Sequence, residues 1–231
     1  KLVFEAVLRE GRALRVPNIG ASRRFALPLG RFYPLSTSRN QKYQYLACDA
    51  GPHILVPRAV SAKWKGHEIN LTNPLDPSTD YGRACAVTGK WGIISVAGSN
   101  ALVLANPPMS ACKPDLKEEP IEIYVLQAWS STNLDELLDR AITHTPSEGF
   151  ANTGAKLTFD GSGGLLLYAG DKPGDPNYGE SVIPTKAATY SLFTAHYEGR
   201  GVDEVDIYRL ILEAQPSGAA NGSRPVRSET N

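Results

Sequence analysis

The sequence has little cysteine, a single methionine and no apolar run long enough to cross a membrane. Its 231 residues include 3 Cys, 1 Met and 8% aromatic residues. A bilayer-spanning helix needs roughly 20 consecutive apolar residues, whereas the longest apolar runs here, 121–129 and 163–169, have the length of strands. No membrane segment is therefore predicted.

The few cysteines also exclude two kinds of structural site. The number of cysteines is odd, and no two of them have C-x-x-C spacing: they are Cys48, Cys85 and Cys112. Neither a disulfide framework nor a thiolate zinc site is therefore indicated. Charged residues interrupt the apolar stretch 2–14, so no secretory signal is predicted. Together these features favour a cytoplasmic location.

The motifs of several enzyme classes are missing as well. The chain has no G-x-S-x-G elbow, no H-E-x-x-H zinc motif and no G-x-x-x-x-G-K-[ST] phosphate loop. No metal, nucleotide or other cofactor is predicted. One enzyme alternative stays open, a hydrolase with a Cys–His site, because the spatial pairing of 3 Cys and 4 His is not visible in a sequence.

Charge is balanced over the whole chain but not along it. Residues 1–42 hold nine Lys or Arg and two Glu, whereas residues 43–213 hold 13 Lys or Arg and 21 Asp or Glu, a balance of −8. A nucleic-acid-binding surface needs clustered basic residues, so the acidic part argues against that partner. It fits a basic protein partner instead.

Hydrophobic patterning predicts an α+β fold with mostly antiparallel sheets, about nine or ten strands and two helices. The helices are expected at 57–65, opened by Pro57, and at 134–142, where apolar residues recur at helical spacing after an N-cap supplied by Thr132 or Asn133. The β-type runs follow one another instead of alternating with helices, which favours antiparallel over parallel sheets. Eleven turn-bounded runs are the candidates for the nine or ten strands: 43–48, 53–56, 83–87, 91–97, 101–104, 121–129, 156–159, 165–169, 182–184, 189–198 and 205–212.

Three parts of the chain differ in composition and in hydrophobic patterning. Residues 1–42 are predicted to be a loosely structured basic extension, residues 43–213 a single α+β domain, and residues 214–231 a disordered polar tail.

Several strings within residues 43–213 resemble, in order and spacing, the immunity protein 21 family of bacterial polymorphic toxin systems. The most specific is D-Y-x-R-A-C-A-V at 80–87, and residues 1–42 have no counterpart in the family. The other strings are 51–57, 64–66, 92–96, 101–104, 165–170, 188–190, 195–198 and 208–210.

The resemblance implies a non-enzymatic protein that binds and neutralises a cognate toxin, with no nucleic-acid or membrane partner. We expect the toxin to be basic and its active site to be occluded. The residues expected to contact it are acidic loop residues and one tryptophan: Asp115, Glu118, Glu119, Asp171, Asp175, Glu180 and Trp64. The motif residues Asp80, Tyr81, Arg83 and Cys85 are expected to be structural.

Overall fold

The computed structural model describes eight stretches of the chain: 43–46, 51–67, 75–105, 110–113, 121–129, 133–176, 179–199 and 203–214. The predicted extension 1–42 and all but the first residue of the predicted tail 214–231 lie outside the described residues. The division of the chain into extension, domain and tail therefore stays a prediction.

The described strands form a six-stranded and a five-stranded sheet in which every pairing is antiparallel. The first sheet has the order β1-β5-β6-β11-β10-β7 and the second β3-β4-β2-β8-β9. The predicted fold class, α+β with mainly antiparallel sheets, is confirmed. The strands are β1 (Gln44–Leu46), β2 (His53–Pro57), β3 (Trp91–Val96), β4 (Ser99–Leu104), β5 (Ser110–Lys113), β6 (Glu122–Trp129), β7 (Ala151–Asp160), β8 (Gly164–Tyr168), β9 (Glu180–Ile183), β10 (Ala187–Glu198) and β11 (Glu204–Leu212).

The main core lies between the two sheets. Alternate residues of the central strands face it, for example Leu55 of β2, Leu102 of β4 and Tyr190 of β10, each 0% exposed. Successive side chains of a strand point to opposite faces, so the intervening residues Ile54 and Val103 belong to a second cluster on the outer face of the five-stranded sheet. Both faces of that sheet are thus covered, which explains why its central strands are almost wholly apolar.

The longest helix, α3 (Leu134–His144), covers the outer face of the six-stranded sheet. Leu137, Leu138 and Ala141 are 0% exposed and pack in one cluster with residues of β6 and β11. The side chain of Asn133 accepts a hydrogen bond from the Glu136 amide and so satisfies one of the free N–H groups of the first turn. This helix and its cap are where the sequence predicts them.

A second helix, α2 (Asp80–Cys85), replaces the strand predicted at 83–87, and that prediction was wrong. The Thr79 hydroxyl accepts the Gly82 amide at 3.0 Å, and Asp80 sits favourably in the first turn. The continuous apolar run of residues 84–87 favours a buried strand when the sequence is considered alone. A local cap and helical packing of Tyr81 and Ala84 against the second cluster decide the conformation.

The helix predicted at 57–65 is shorter, because α1 covers only Arg58–Ser61. Pro57 is the last residue of β2 and not the first of the helix. Beyond the helix the chain is held beside the end of β8, where the Trp64 indole N–H donates to the Ala169 carbonyl at 3.0 Å and the His67 amide donates to the Gly170 carbonyl at 2.7 Å. These tertiary hydrogen bonds hold residues 64–67 outside the helix, which therefore does not reach the predicted end at residue 65.

Two further local predictions needed correction. Residues 110–113, predicted as part of a polar loop, form strand β5 between β1 and β6, so pairing with two neighbours overrides their weak strand pattern. The β3–β4 turn was predicted at 98–100 but consists of Ala97 and Gly98, whose φ angles are 48° and 85°. Positive φ at both positions is the geometry of the favoured two-residue hairpin turn.

Candidate functional site

The first six residues of the D-Y-x-R-A-C-A-V motif form α2, and two of them bind the neighbouring backbone. The Asp80 carboxylate accepts the Lys65 amide at 2.7 Å and pairs with the Arg83 guanidinium at 2.5 Å. The Arg83 guanidinium also donates to the Ser95 carbonyl of β3 at 2.8 Å. These contacts agree with the structural role expected of Asp80 and Arg83, which remains a proposal.

The other two motif residues face the second apolar cluster. Tyr81 is 7% exposed, its ring stacks on His67 with centroids 4.5 Å apart, and its hydroxyl accepts a hydrogen bond from Tyr168 at 3.1 Å. Burial raises the pKa of the half-buried Cys85 thiol. A nucleophilic cysteine needs a lowered pKa, so the environment of Cys85 gives the Cys–His hydrolase alternative no support.

The toxin-contact residues predicted from the sequence differ in their exposure to solvent. Trp64 is 2% and Asp171 1% exposed, which is the burial of core residues, so we leave both out of the proposed contact surface. Asp175 is exposed in the β8–β9 connection, while Glu180 is partly buried and accepts the Gly174 amide at 3.0 Å. The remaining three, Asp115, Glu118 and Glu119, lie outside the described residues.

The structure instead places a row of polar side chains across three neighbouring strands of the six-stranded sheet. Asp206 of β11 is the register partner of both Gln127 of β6 and His196 of β10. Alternation puts Asp206 on the same face as Tyr208 and Leu210, which is the face turned to the main core. The row thus lies between the sheets, near the end of β11 that follows the β10–β11 turn.

Asp206 is the centre of this row. Its Oδ1 lies 2.7 Å from the His196 Nδ1 and 2.7 Å from the Lys90 ammonium, which precedes β3 of the other sheet. The Asp206 side chain is 5% exposed, those of His196 and Lys90 33% and 57%. The carboxylate therefore orients the imidazole through Nδ1 and leaves Nε2 toward solvent, where Glu198 Oε1 lies 3.7 Å away.

The polar row contains unsatisfied groups. The second Asp206 oxygen, Oδ2, and the Gln127 amide nitrogen are buried and make no hydrogen bond with any described residue. The Tyr208 hydroxyl donates to the Gln127 side-chain oxygen at 2.5 Å, and burial with the neighbouring Asp206 charge raises the pKa of Tyr208. Unsatisfied buried polar groups are uncommon in cores and often mark a ligand or water position.

A cleft of about 440 Å³ opens beside this row. Residues of both sheets and of the short turn after α3 line it, among them Lys90, Trp91, Gly149, His196, Asp206 and Tyr208. The sequence analysis missed this cleft because its residues are up to 118 positions apart and meet only through strand register. The available signal was the change from apolar to polar residues at alternate positions near the ends of β10 and β11.

A second feature adjoins the cleft at the β10–β11 turn and continues over α3. We call it the α3–hairpin surface, and it consists of carboxylates on both sides of this end of the sheet. On the α3 side, the guanidinium of Arg140 lies 3.5 Å from Glu136 and 3.6 Å from Asp203. Strand alternation places the register partners Glu198 and Glu204 on the cleft side, with Asp206. Glu136 and Glu198 have side chains 58% and 81% exposed. The surface consists of Asp135, Glu136, Glu198, Asp203 and Glu204.

Comparison with known families identifies the chain's relatives. Residues 44–202 match the family described as Immunity protein 21, which is more than two thirds of the chain. The chain belongs to the immunity protein 21 family. This confirms the resemblance inferred from the motif strings. The immunity protein 21 match runs from β1 to the β10–β11 turn, so it includes His196 and ends before Asp206.

No curated protein and no solved structure matches the chain. Within the described ranges, no three His, Cys, Asp or Glu side chains come together as metal ligands. None of the helices described combines the length and the apolar character that crossing a bilayer requires.

Proposed function

We propose that this chain binds a cognate bacterial toxin and neutralises it by occluding its active site, without catalysing a reaction itself. Membership of the immunity protein 21 family supports the toxin partner. The α3–hairpin surface is the observation that carries the choice of contact region. The toxin is proposed to be basic because the surface is acidic and because residues 43–213 have a balance of −8.

The charge of the surface supports binding by steered encounter. Four of its carboxylates are exposed, those of Asp135, Glu136, Glu198 and Glu204, whereas the Asp203 side chain is 19% exposed. The exposed carboxylates attract a basic partner through the solvent and raise the rate of association. Toxins that act on nucleic acid need a basic cleft to hold phosphates, and an acidic surface is complementary to such a cleft. An inhibitor seated there would exclude the substrate.

The acidic loops predicted from the sequence belong to this proposal as secondary contacts. Asp175 and Glu180 are the described members, and Asp115, Glu118 and Glu119 are retained as predictions. We place the proposed complex in the cytoplasm, in keeping with the low cysteine content.

The experiment measures the affinity of the full chain for the toxin domain encoded beside its gene, at low and moderate salt. We expect Glu204→Lys to weaken binding about tenfold or more, since it places a like charge against a basic partner. Asp175→Lys tests the loop contact in the same way.

Asp160→Lys is the matched control. This carboxylate is also exposed, but it lies at the opposite end of the long strand β10, where Ala187 is its register neighbour. Equal affinities for Glu204→Lys and Asp160→Lys would contradict the proposed surface. An absence of binding by the unaltered chain would contradict the proposed function itself.

A further inference from the structure

The cleft between the two sheets has the size and the wall chemistry of a receptor for a single cationic side chain. Its volume of about 440 Å³ falls within the range of roughly 300–1,000 Å³ that is usual for small-ligand sites. Asp206 belongs to the lining, as do the aromatic residues Trp91, which is partly exposed, and Tyr208, which is 1% exposed. Aromatic faces attract cations, Arg more often than Lys.

The carboxylate of Asp206 is incompletely satisfied. Oδ1 holds Lys90 and His196, whereas Oδ2 is buried and has no hydrogen-bond partner among the described residues. A buried carboxylate oxygen without a donor is unfavourable, and a planar guanidinium supplies two parallel N–H groups for the two oxygens of one carboxylate.

The Lys90 ammonium occupies the position that such a guanidinium would take. It lies 2.7 Å from Asp206 Oδ1, yet its side chain is 57% exposed. Ion pairs with a solvent-exposed partner contribute little to stability, so an incoming group that satisfies both oxygens can displace this ammonium. A planar guanidinium can donate one N–H to each oxygen of the carboxylate at the same time, whereas a compact ammonium acts as a point charge.

The cleft is continuous with the α3–hairpin surface. Glu198 belongs to that surface and also lies 3.7 Å from His196 of the cleft. Glu148 is exposed and precedes Gly149, another residue of the lining. The Glu198 carboxylate therefore lies beside a lining residue of the cleft, and a basic partner on the surface would bring its side chains to this entrance.

We propose that the cleft receives one arginine side chain of the basic partner, with its guanidinium on Asp206 in the place of Lys90. This inference rests on the proposed function for its biological partner, but its chemistry is testable without a toxin. The arginine would be a buried anchor at the edge of a steered interface. Buried arginine anchors are among the residues that contribute most to the binding energy of an interface.

The test titrates the full, isotope-labelled chain with N-acetyl-arginine amide and follows the His196 imidazole and the Trp91 indole by NMR. We expect both signals to shift saturably, with a dissociation constant on the order of 1 mM for a ligand of this size. N-acetyl-citrulline amide has the same shape without the charge, and its binding should be at least about tenfold weaker.

Four variants test the assignment of residues. Asp206→Asn should abolish the shifts, and Glu198→Gln, at an exposed position where folding is not at risk, should weaken binding. Lys90→Met removes the competing ammonium and should tighten binding about two- to fivefold, the factor that corresponds to an ion pair with an exposed partner. Asp160→Asn is the control and should leave binding unchanged.

Three results would overturn the inference: no saturable shift, stronger binding of inorganic phosphate or N-acetyl-glutamate amide than of the arginine probe, or unchanged binding by Glu198→Gln together with Lys90→Met. If the toxin binds and the arginine probe does not, the cleft assignment alone fails. If the probe binds as expected and the toxin does not, the proposed function fails while the cleft keeps its ligand chemistry.

Discussion

His53 should make the stability of the fold depend on pH in a specific way. It is the first residue of β2, is 0% exposed, and burial lowers the pKa of its imidazole to about 3. In the unfolded chain the imidazole has an ordinary pKa of about 6.5. Below that pH the unfolded state binds a proton that the native state does not, so stability falls as the pH decreases toward 3.

The size of the effect follows from the two pKa values. At pH 8 neither state is protonated at His53, and its contribution to the pH dependence is negligible. At pH 5 the unfolded state is almost fully protonated and the native state is not, which lowers the free energy of unfolding by about 2 kcal/mol relative to pH 8.

The assay is urea unfolding of the wild-type chain and the His53→Gln variant between pH 8 and pH 5. Other groups titrate equally in both proteins, so the difference between their free energies of unfolding isolates His53. The wild-type advantage should shrink by about 2 kcal/mol over this range.

A constant difference between wild type and His53→Gln would refute the reasoning, because it would mean that His53 titrates alike in both states. NMR gives a direct check. The imidazole signals of His53 should keep their neutral positions at pH 5.

Three further predictions concern packing and thiol reactivity. Gly82→Ala should destabilise the fold by more than about 2 kcal/mol, because the new methyl group would lie 1.9 Å from a carbonyl oxygen of the preceding loop. Gly149→Ala is the control, since its methyl group would meet only ordinary contacts at 3.5 Å or more. Chemical denaturation measures the free energy of unfolding of both variants. Leu102→Ala should lower the free energy of unfolding by about 3 kcal/mol in the same assay, since Leu102 is 0% exposed between the sheets. The control Leu75→Ala should lower it by less than about 0.5 kcal/mol, because Leu75 is 55% exposed. Cys85, left as the only thiol after serine replacement of the other two, should react with a disulfide reagent more slowly than free cysteine at pH 7.5, and an equal or faster rate would contradict its raised pKa.

Local signals in the sequence were sufficient for much of the fold. The apolar spacing and the Asn133 cap specify α3, and the alternation of polar and apolar residues over 189–198, interrupted once at Leu192 and Phe193, specifies most of β10. Both signals act within a few residues, so a single sequence displays them fully. The motif strings in turn identified the family, which the match over 44–202 confirms.

The errors arise where tertiary contacts decide. Residues 84–87 form a short apolar run typical of a buried strand, yet the Thr79 cap and the packing of α2 make the chain helical as far as Cys85. Residues 110–113 carry little strand pattern and are held in β5 by neighbours on both sides. Neither outcome is encoded within a short window of sequence.

The cleft shows the same limit for the candidate site. His196 and Asp206 could have been paired from the predicted hairpin if its register had been known. Gln127 lies 79 positions before Asp206 and is brought beside it by the pairing of β6 with β11. Lys90 lies 106 positions before His196 and is brought beside it by the packing of the two sheets. Sequence reasoning therefore favoured the acidic loops, which are visible in composition, over a cleft built by topology.

The most direct test of the account is a titration of the toxin domain encoded beside this gene with the full chain, measuring the toxin's own activity. We predict that inhibition rises linearly and is complete at one equivalent of the chain, with Glu204→Lys requiring a clear excess and Asp160→Lys behaving as wild type. A toxin that keeps its full activity in the presence of excess chain would contradict the central claim.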